Sequence, residues 1–401
     1  MNPAYSRELQ KLIEDYNNGT LDNRTTEKII KVDLTESIRE KMYGAPLPVS
    51  NHVFAVAMNF PSHLKYDLAF DLNKKVRKKM KNAAPRVFFK YPPVAPPVKE
   101  ISDKKSDHDS FLGAYDTIYY DHKVFIPSDD PAFPYKTTNF KLDYEAEIGV
   151  VIGRQITFES LQTMTDEDIY AAIAGYVLVN DTKARNPQVM LKIITHGKQP
   201  DHDNHYNFHD IMLNNVFGIW DNQTCRWWSY AATCNNFLSV GPFFVAANDR
   251  SSLKDIPFIS ARSYGKERNF FIQKYDPDIL YLRQAGMITE SAIYNDSMIW
   301  NLPQIVREIV RPGNPLANIA GGKITLESGD IICLGTPSGT AITSKPYPIF
   351  NLLKNVLFWV KPNQWHDMFF KGHQKEYLHP ADRLFMWAEQ LGFQHLDFEK
   401  K

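Results

Sequence analysis

The chain is short of cysteine, of charge of either sign in excess and of long apolar runs, and each shortage removes a class of protein. Its three cysteines, Cys225, Cys234 and Cys333, are an odd number without paired spacing, so no disulfide framework is expected. Lys plus Arg and Asp plus Glu both count 46. With no net charge to draw the chain onto nucleic acid or an anionic membrane, neither is expected as a partner, and a small molecule becomes the default ligand. No stretch of about 18 uncharged apolar residues occurs, which excludes a spanning helix. The start MNPAYSRELQKLIEDYNN lacks the basic-then-apolar order of a signal peptide, so a reducing, cytoplasmic setting is the expectation.

What is present is an ordinary globular composition, 43% hydrophobic and 23% charged over 401 residues, enough for two or three domains or one large decorated one. Residues 1–50 read as a helical N-terminal extension, with Leu9, Leu12 and Ile13 on one face and Asn17-Asn18-Gly19 as a stop. From VFAVAM, residues 53–58, β-type patterning takes over, and the core domain is placed at 51–345. Within it KKVRKKMK, residues 74–81, carries six basic residues. It is either an anion patch or a solvated helix face, and neutral overall charge without interleaved aromatics favours the solvated face. His202, His205 and His209 lie in DHDNHYNFHD, where no period aims the imidazoles at one point, so a surface loop is expected rather than a zinc site. The tail, 346–401, offers Leu384, Phe385, Trp387, Ala388 and Leu391 as the apolar face of a helix packed on the core or on a second subunit.

Three segments carry the chemistry. In FKLDYEAEIGVVIGR, residues 140–154, strand alternation puts Asp143, Glu145 and Glu147 on one side. Acids so close repel unless a cation or proton joins them, although a solvent-facing strand would also tolerate them. In IAGYVLVNDTKARN, residues 173–186, an apolar strand ends at Asn180-Asp181. Glu145, Glu147 and Asp181 together are three hard oxygen ligands, suited to Mg²⁺, Mn²⁺ or Ca²⁺. In ITLESGDIICLGTPSGT, residues 324–340, Gly335-Thr336-Pro337-Ser338-Gly339 forms a tight polar loop, either an ordinary hairpin loop or one whose amides and Thr336 hydroxyl receive an oxyanion.

Together the three segments resemble the fumarylacetoacetate hydrolase family, whose pattern is an acidic D-x-E-x-E strand, an N-D-x-x-A-R segment and a G-D-x-I-x-x-G-T-P-x-G loop. AVAMNFPSH (55–63), VFFKYPP (87–93), FLSVGPF (237–243) and LRQAGMITE (282–290) are similar to further family segments. The resemblance implies an α+β chain built on the family's mixed β-roll, a homodimer, and a divalent metal on Glu145, Glu147 and Asp181. It also implies a general-base histidine at His63 and substrate contacts at Lys90, Gln188 and Thr336. The sequence departs from the family at three places: Ala232 stands where many members carry a lysine, Asn186 where an Asp commonly follows the A-R, and Tyr66 where acylpyruvase-like members pair a glutamate with the histidine. A 2-oxo or 1,3-diketo acid chelates a divalent ion through two oxygens, so C–C hydrolysis of such an acid is the expected activity. Decarboxylation, tautomerisation and a non-catalytic metabolite-binding role are the alternatives, and a structural role is the alternative for His63.

Overall fold

The computed structural model describes residues 29–31, 45–47, 52–67, 78, 80, 82–91, 117–120, 141–185, 220–233, 237–247, 256–265, 269–270, 273–274, 279–288, 298–341 and 377–400. Among these residues the strands, numbered along the chain, fall into two six-stranded sheets and two short ladders. One sheet runs in the order β3 (Val87–Tyr91), β2 (Val53–Val56), β14 (Ile331–Cys333), β6 (Ala146–Ile152), β7 (Ile173–Asp181), β9 (Leu238–Ala246). The other runs β1 (Ile29–Lys31), β13 (Ile279–Ile288), β10 (Ile256–Ser263), β15 (Arg383–Ala388), β16 (Gly392–Lys400), β4 (Thr117–Tyr120). β5 (Leu142–Asp143) pairs with β8 (Lys183–Ala184), and β11 (Asn269–Phe270) with β12 (Gln273–Lys274).

The first sheet positions the acids. Its strands VFAV, AEIGVVI, IAGYVLVND and IIC are near-continuous apolar runs, the pattern of strands covered on both faces. β14 lies parallel to β2 and antiparallel to β6, so the sheet is mixed. Helices α1 (Asp166–Tyr170), α2 (Asn222–Ala232), α3 (Leu302–Val310) and α4 (Pro315–Ile319) accompany it. α3 is fixed by a capping box between Asn301 and Gln304 and buries Leu302, Ile305, Val306, Ile309 and Val310, the i, i+3, i+4 spacing of one helical face. The two large sheets meet through polar links: the Gln394 amide of β16 donates to Leu178 and Gly241 carbonyls, and Gln284 of β13 accepts from the Ala146 amide of β6.

An α+β chain with mixed sheets and a few helices is thus what the residues build. Most of 1–50 lies outside the described residues, so a helical extension has no counterpart to compare, and Ile29–Lys31 is a strand paired to β13. The tail corrects the sequence reading. Leu384 to Leu391 is no helix: β15 and β16 form an antiparallel hairpin, and β15 pairs with β10, Ile259 opposite Trp387. Gln390 and Gly392 take φ values of +64° and +89°, the left-handed geometry of a tight turn rather than of a continuing helix. The apolar spacing fits both periods, and β10 supplies an edge that decides for the strand. No described helix is long and apolar enough to cross a membrane.

Candidate metal and acid–base site

The acid strand is not one uninterrupted ladder. β5 ends at Asp143 and β6 begins at Ala146, and Asp143, Glu145 and Glu147 are all buried. Pairing of β6 with β7 puts Ala146 opposite Asn180, and the Asp181 amide donates to the Glu145 carbonyl at 2.9 Å. Strand alternation then turns Glu145, Glu147 and Asp181 to the same face. One carboxylate oxygen from each lies within 4.8 Å of the others. These are hard, anionic, buried oxygens, a donor set that fits Mg²⁺, Mn²⁺ or Ca²⁺. Asp143 goes elsewhere, to the Arg185 guanidinium at 2.6 Å, the Arg283 guanidinium and the Ala341 amide.

Cations already stand among these acids. Lys183 Nζ lies 2.5 Å from Glu145 Oε2 and 2.8 Å from Asp181 Oδ2, and Arg185 pairs with Glu145 Oε1. Lys90 Nζ lies 2.8 Å from Asp181 Oδ1 and donates to the Thr182 and Ala232 carbonyls at 2.5 and 2.7 Å. Four carboxylates, Asp143, Glu145, Glu147 and Asp181, therefore face four cations, Lys90, Lys183, Arg185 and Arg283. Burial alone would raise the Glu145 carboxyl, but Arg185 and Lys183 overcome it and hold the group at about 2. Burial likewise works against the Asp181 carboxylate, and Lys183 and Lys90 bring it below its usual value. Glu147 is pushed well above the usual range by burial and then by Asp181, against Lys183 and the Gly335 amide that donates to it at 2.9 Å. Burial pulls the Lys90 ammonium down, and Asp181 opposes it.

His63 sits on a π-helical turn, His63–Asp67. Its Nδ1 is 2.7 Å from Asp67 Oδ2, which fixes the ring and leaves Nε2 for proton exchange. His63 acts electrostatically on Glu145, which puts the ring in the neighbourhood of the triad. The loop after β14 closes it. Asp67 accepts from the Gly339 and Thr340 amides at 3.0 and 3.1 Å, Glu147 from Gly335, and Arg283 Nε donates to the Gly339 carbonyl at 2.6 Å. Two amides of the 335–339 loop, those of Gly335 and Gly339, thus hold the protein's own carboxylates.

The structure brings together His63, Glu145, Glu147, Asp181, Lys90 and Thr336. The three N–H bonds of Lys90 meet protein acceptors, and the Thr336 hydroxyl donates to the Ala146 carbonyl while accepting from the Gln284 amide at 2.6 Å. Gln188 lies outside the described residues, as do Asn186 and the histidines of 202–209. Two participants carried no role in the sequence reading. Asp67 is four residues after His63, one beyond the position held by Tyr66, a spacing at which two side chains on one helical turn meet. Lys183 was visible only as a lysine just after the strand-ending Asp181.

Residues 52–203 match the model of the fumarylacetoacetate (FAA) hydrolase C-terminal family. Over those residues the chain is similar to the fumarylacetoacetate hydrolase family. It is similar to a fumarylacetoacetate hydrolase domain-containing protein 2 homolog of Dictyostelium discoideum, 24% identical over 233 residues, 58% of this chain and 54% of the relative. It is also similar to the oxaloacetate tautomerase YisK of Bacillus subtilis, 26% identical over 199 residues, 50% of this chain and 42% of the relative. The chain spans about half the length of the curated relatives it matches. Among solved structures, the fumarylacetoacetate hydrolase of Exiguobacterium antarcticum aligns with 89% of this chain and 78% of its own, at 17% identity and a TM-score of 0.46.

Proposed function

We propose that this chain is a divalent-metal-dependent enzyme that hydrolyses a C–C bond in a 1,3-diketo or 2-oxo acid of the fumarylacetoacetate or acylpyruvate type. The observation that carries the proposal is the His63–Asp67 pair beside the carboxylate triad. Glu145, Glu147 and Asp181 would hold the metal, which when bound supplies a Lewis acid for the substrate's two oxygens. The chain's own residues then handle the proton. His63 Nε2 takes one from water, whose oxygen adds to the carbonyl carbon next to the bond that breaks. Asp67 stabilises the imidazolium so formed, as a carboxylate behind a catalytic histidine does. The bond's electron pair passes to the departing carbon, which recovers the proton from His63. With Tyr66 in the glutamate's position the base lacked a partner in the sequence; Asp67 supplies one, and that favours water activation over tautomerisation or decarboxylation.

The test is a screen of acylpyruvates, fumarylacetoacetate-like diketones and oxaloacetate with Mg²⁺ or Mn²⁺. Cleavage to two carboxylic products is the expected outcome, with His63→Ala slower by about 10²-fold or more. Enol–keto exchange without cleavage would favour the tautomerase reading, and tight binding without turnover the metabolite-binding one. A well-folded His63→Ala with wild-type turnover would overturn the base assignment.

A further inference from the structure

The two buried lysines at the triad are held differently. Lys90 gives its three N–H bonds to Asp181 Oδ1 and two backbone carbonyls, two of which no metal ion would claim, so it can stay in place whatever else binds. Lys183 touches Glu145 Oε2 at 2.5 Å and Asp181 Oδ2 at 2.8 Å, and both carboxylates belong to the group able to share an ion. Its ammonium also lies 5.1 Å from the centroid of the Phe88 ring, an aromatic face that favours a cation. An ammonium and a divalent ion cannot both sit between the same two carboxylates, because each needs their lone pairs and the two positive charges repel.

We propose that Lys183 is the site's resident counter-ion and a built-in competitor: a divalent ion enters by displacing its ammonium from Glu145 and Asp181. Metal binding is then an exchange of cations rather than the filling of a bare anionic cage. Exchange weakens the apparent affinity, since the metal's attraction to the carboxylates is set against the lysine's. It also keeps the buried acids neutralised whenever the metal is away, so the sheet does not carry uncompensated charge at its centre. This inference rests on reading Glu145, Glu147 and Asp181 as the ligands.

Calorimetric titration with MnCl₂ tests it on the full chain. Lys183→Met removes the competitor and should bind Mn²⁺ at least tenfold more tightly than wild type. Lys183→Arg keeps a cation in place and should bind no more tightly than wild type. Equal affinity of Lys183→Met and wild type overturns the proposal. Glu147→Ala in the same series separates the two claims: if it binds as wild type does, or if no form binds, the ligand assignment fails and the inference with it, whereas weakened binding in Glu147→Ala with no gain in Lys183→Met sinks the competitor alone. Because Lys183→Met leaves carboxylates short of a buried cation, its melting is followed over a range of MnCl₂. Mn²⁺ should raise its melting temperature more than it raises wild type's. An equal or smaller rise in the variant counts against displacement.

Discussion

Asp67 does two things at once: it orients His63 and it fastens the loop of Gly339 and Thr340. Asp67→Asn keeps the shape but replaces an acceptor-only group by a half-donor. It should cost about 1–3 kcal/mol, the usual consequence of leaving buried partners mispaired, and should lower turnover while leaving Mn²⁺ affinity within a factor of a few. Urea denaturation beside kinetics and calorimetry checks it, and unchanged turnover with full stability would remove Asp67 from the mechanism. A second expectation concerns Glu145. Its folded value, about 2, lies below its ordinary 4.5, so the stability it contributes is complete above pH 4.5 and is lost as pH falls toward 2. Glu147, held high by burial, works in the opposite sense, its share being complete below the ordinary carboxylate range and lost as pH rises. With metal chelated, the gap in stability between wild type and Glu145→Gln should therefore shrink as pH is taken from 5 to 2. A constant gap would mean that the cations around Glu145 do not hold its charge. Residue types at fixed spacing were enough to pick out the three acids that the fold brings together, whereas His63 entered only through the family resemblance. Asp67 was hidden because the family pattern put the histidine's partner at Tyr66, and Lys183 because its place depends on a short ladder, β5 with β8, that no local period announces.

At the scale of elements, the apolar runs marked the strands of the central sheet, because a strand covered on both faces needs apolar residues at every position. The same signal misread the tail, where spacing compatible with a helix was overruled by the open edge of β10 and by the turn at Gln390 and Gly392. Gly149 shows how tightly the correct elements fit. A Cβ at this position in β6 would lie 2.8 Å from a Val179 methyl and 2.9 Å from methyls of Val177 and Ile331. Those branched side chains have few χ1 choices, so making room costs strained rotamers or a shift of β7 or β14. Gly149→Ala should destabilise the protein by about 1–3 kcal/mol, the range for an added methyl in a packed core. Because residue 149 shares its face with Glu147, metal affinity should fall too. An unchanged urea midpoint would contradict the register that sets Gly149 against Val177.

For the whole molecule, the central question is how far one small site governs the stability of two sheets. Glu145 immediately precedes β6, Glu147 lies at its start, Asp181 ends β7, and the loop that donates to Glu147 follows β14. A bound ion would thus tie together three neighbouring strands, and an ion held by the folded chain alone must stabilise it. At a free concentration 100 times the dissociation constant the gain is about 2.7 kcal/mol, enough to raise the melting temperature by a few degrees in a chain of this length. The expected result is a melting temperature that climbs with the logarithm of Mn²⁺ or Mg²⁺ concentration and returns to its starting value with a chelator. In Glu147→Ala the climb should vanish over the same range, because two carboxylates already paired with Lys183, Arg185 and Lys90 offer too little charge to hold a hard cation. His202→Ala, His205→Ala and His209→Ala combined should leave it intact, since those histidines have no assigned place in the site. A climb that survives in Glu147→Ala but disappears with the histidines would move the metal from the acid strand to the 202–209 segment.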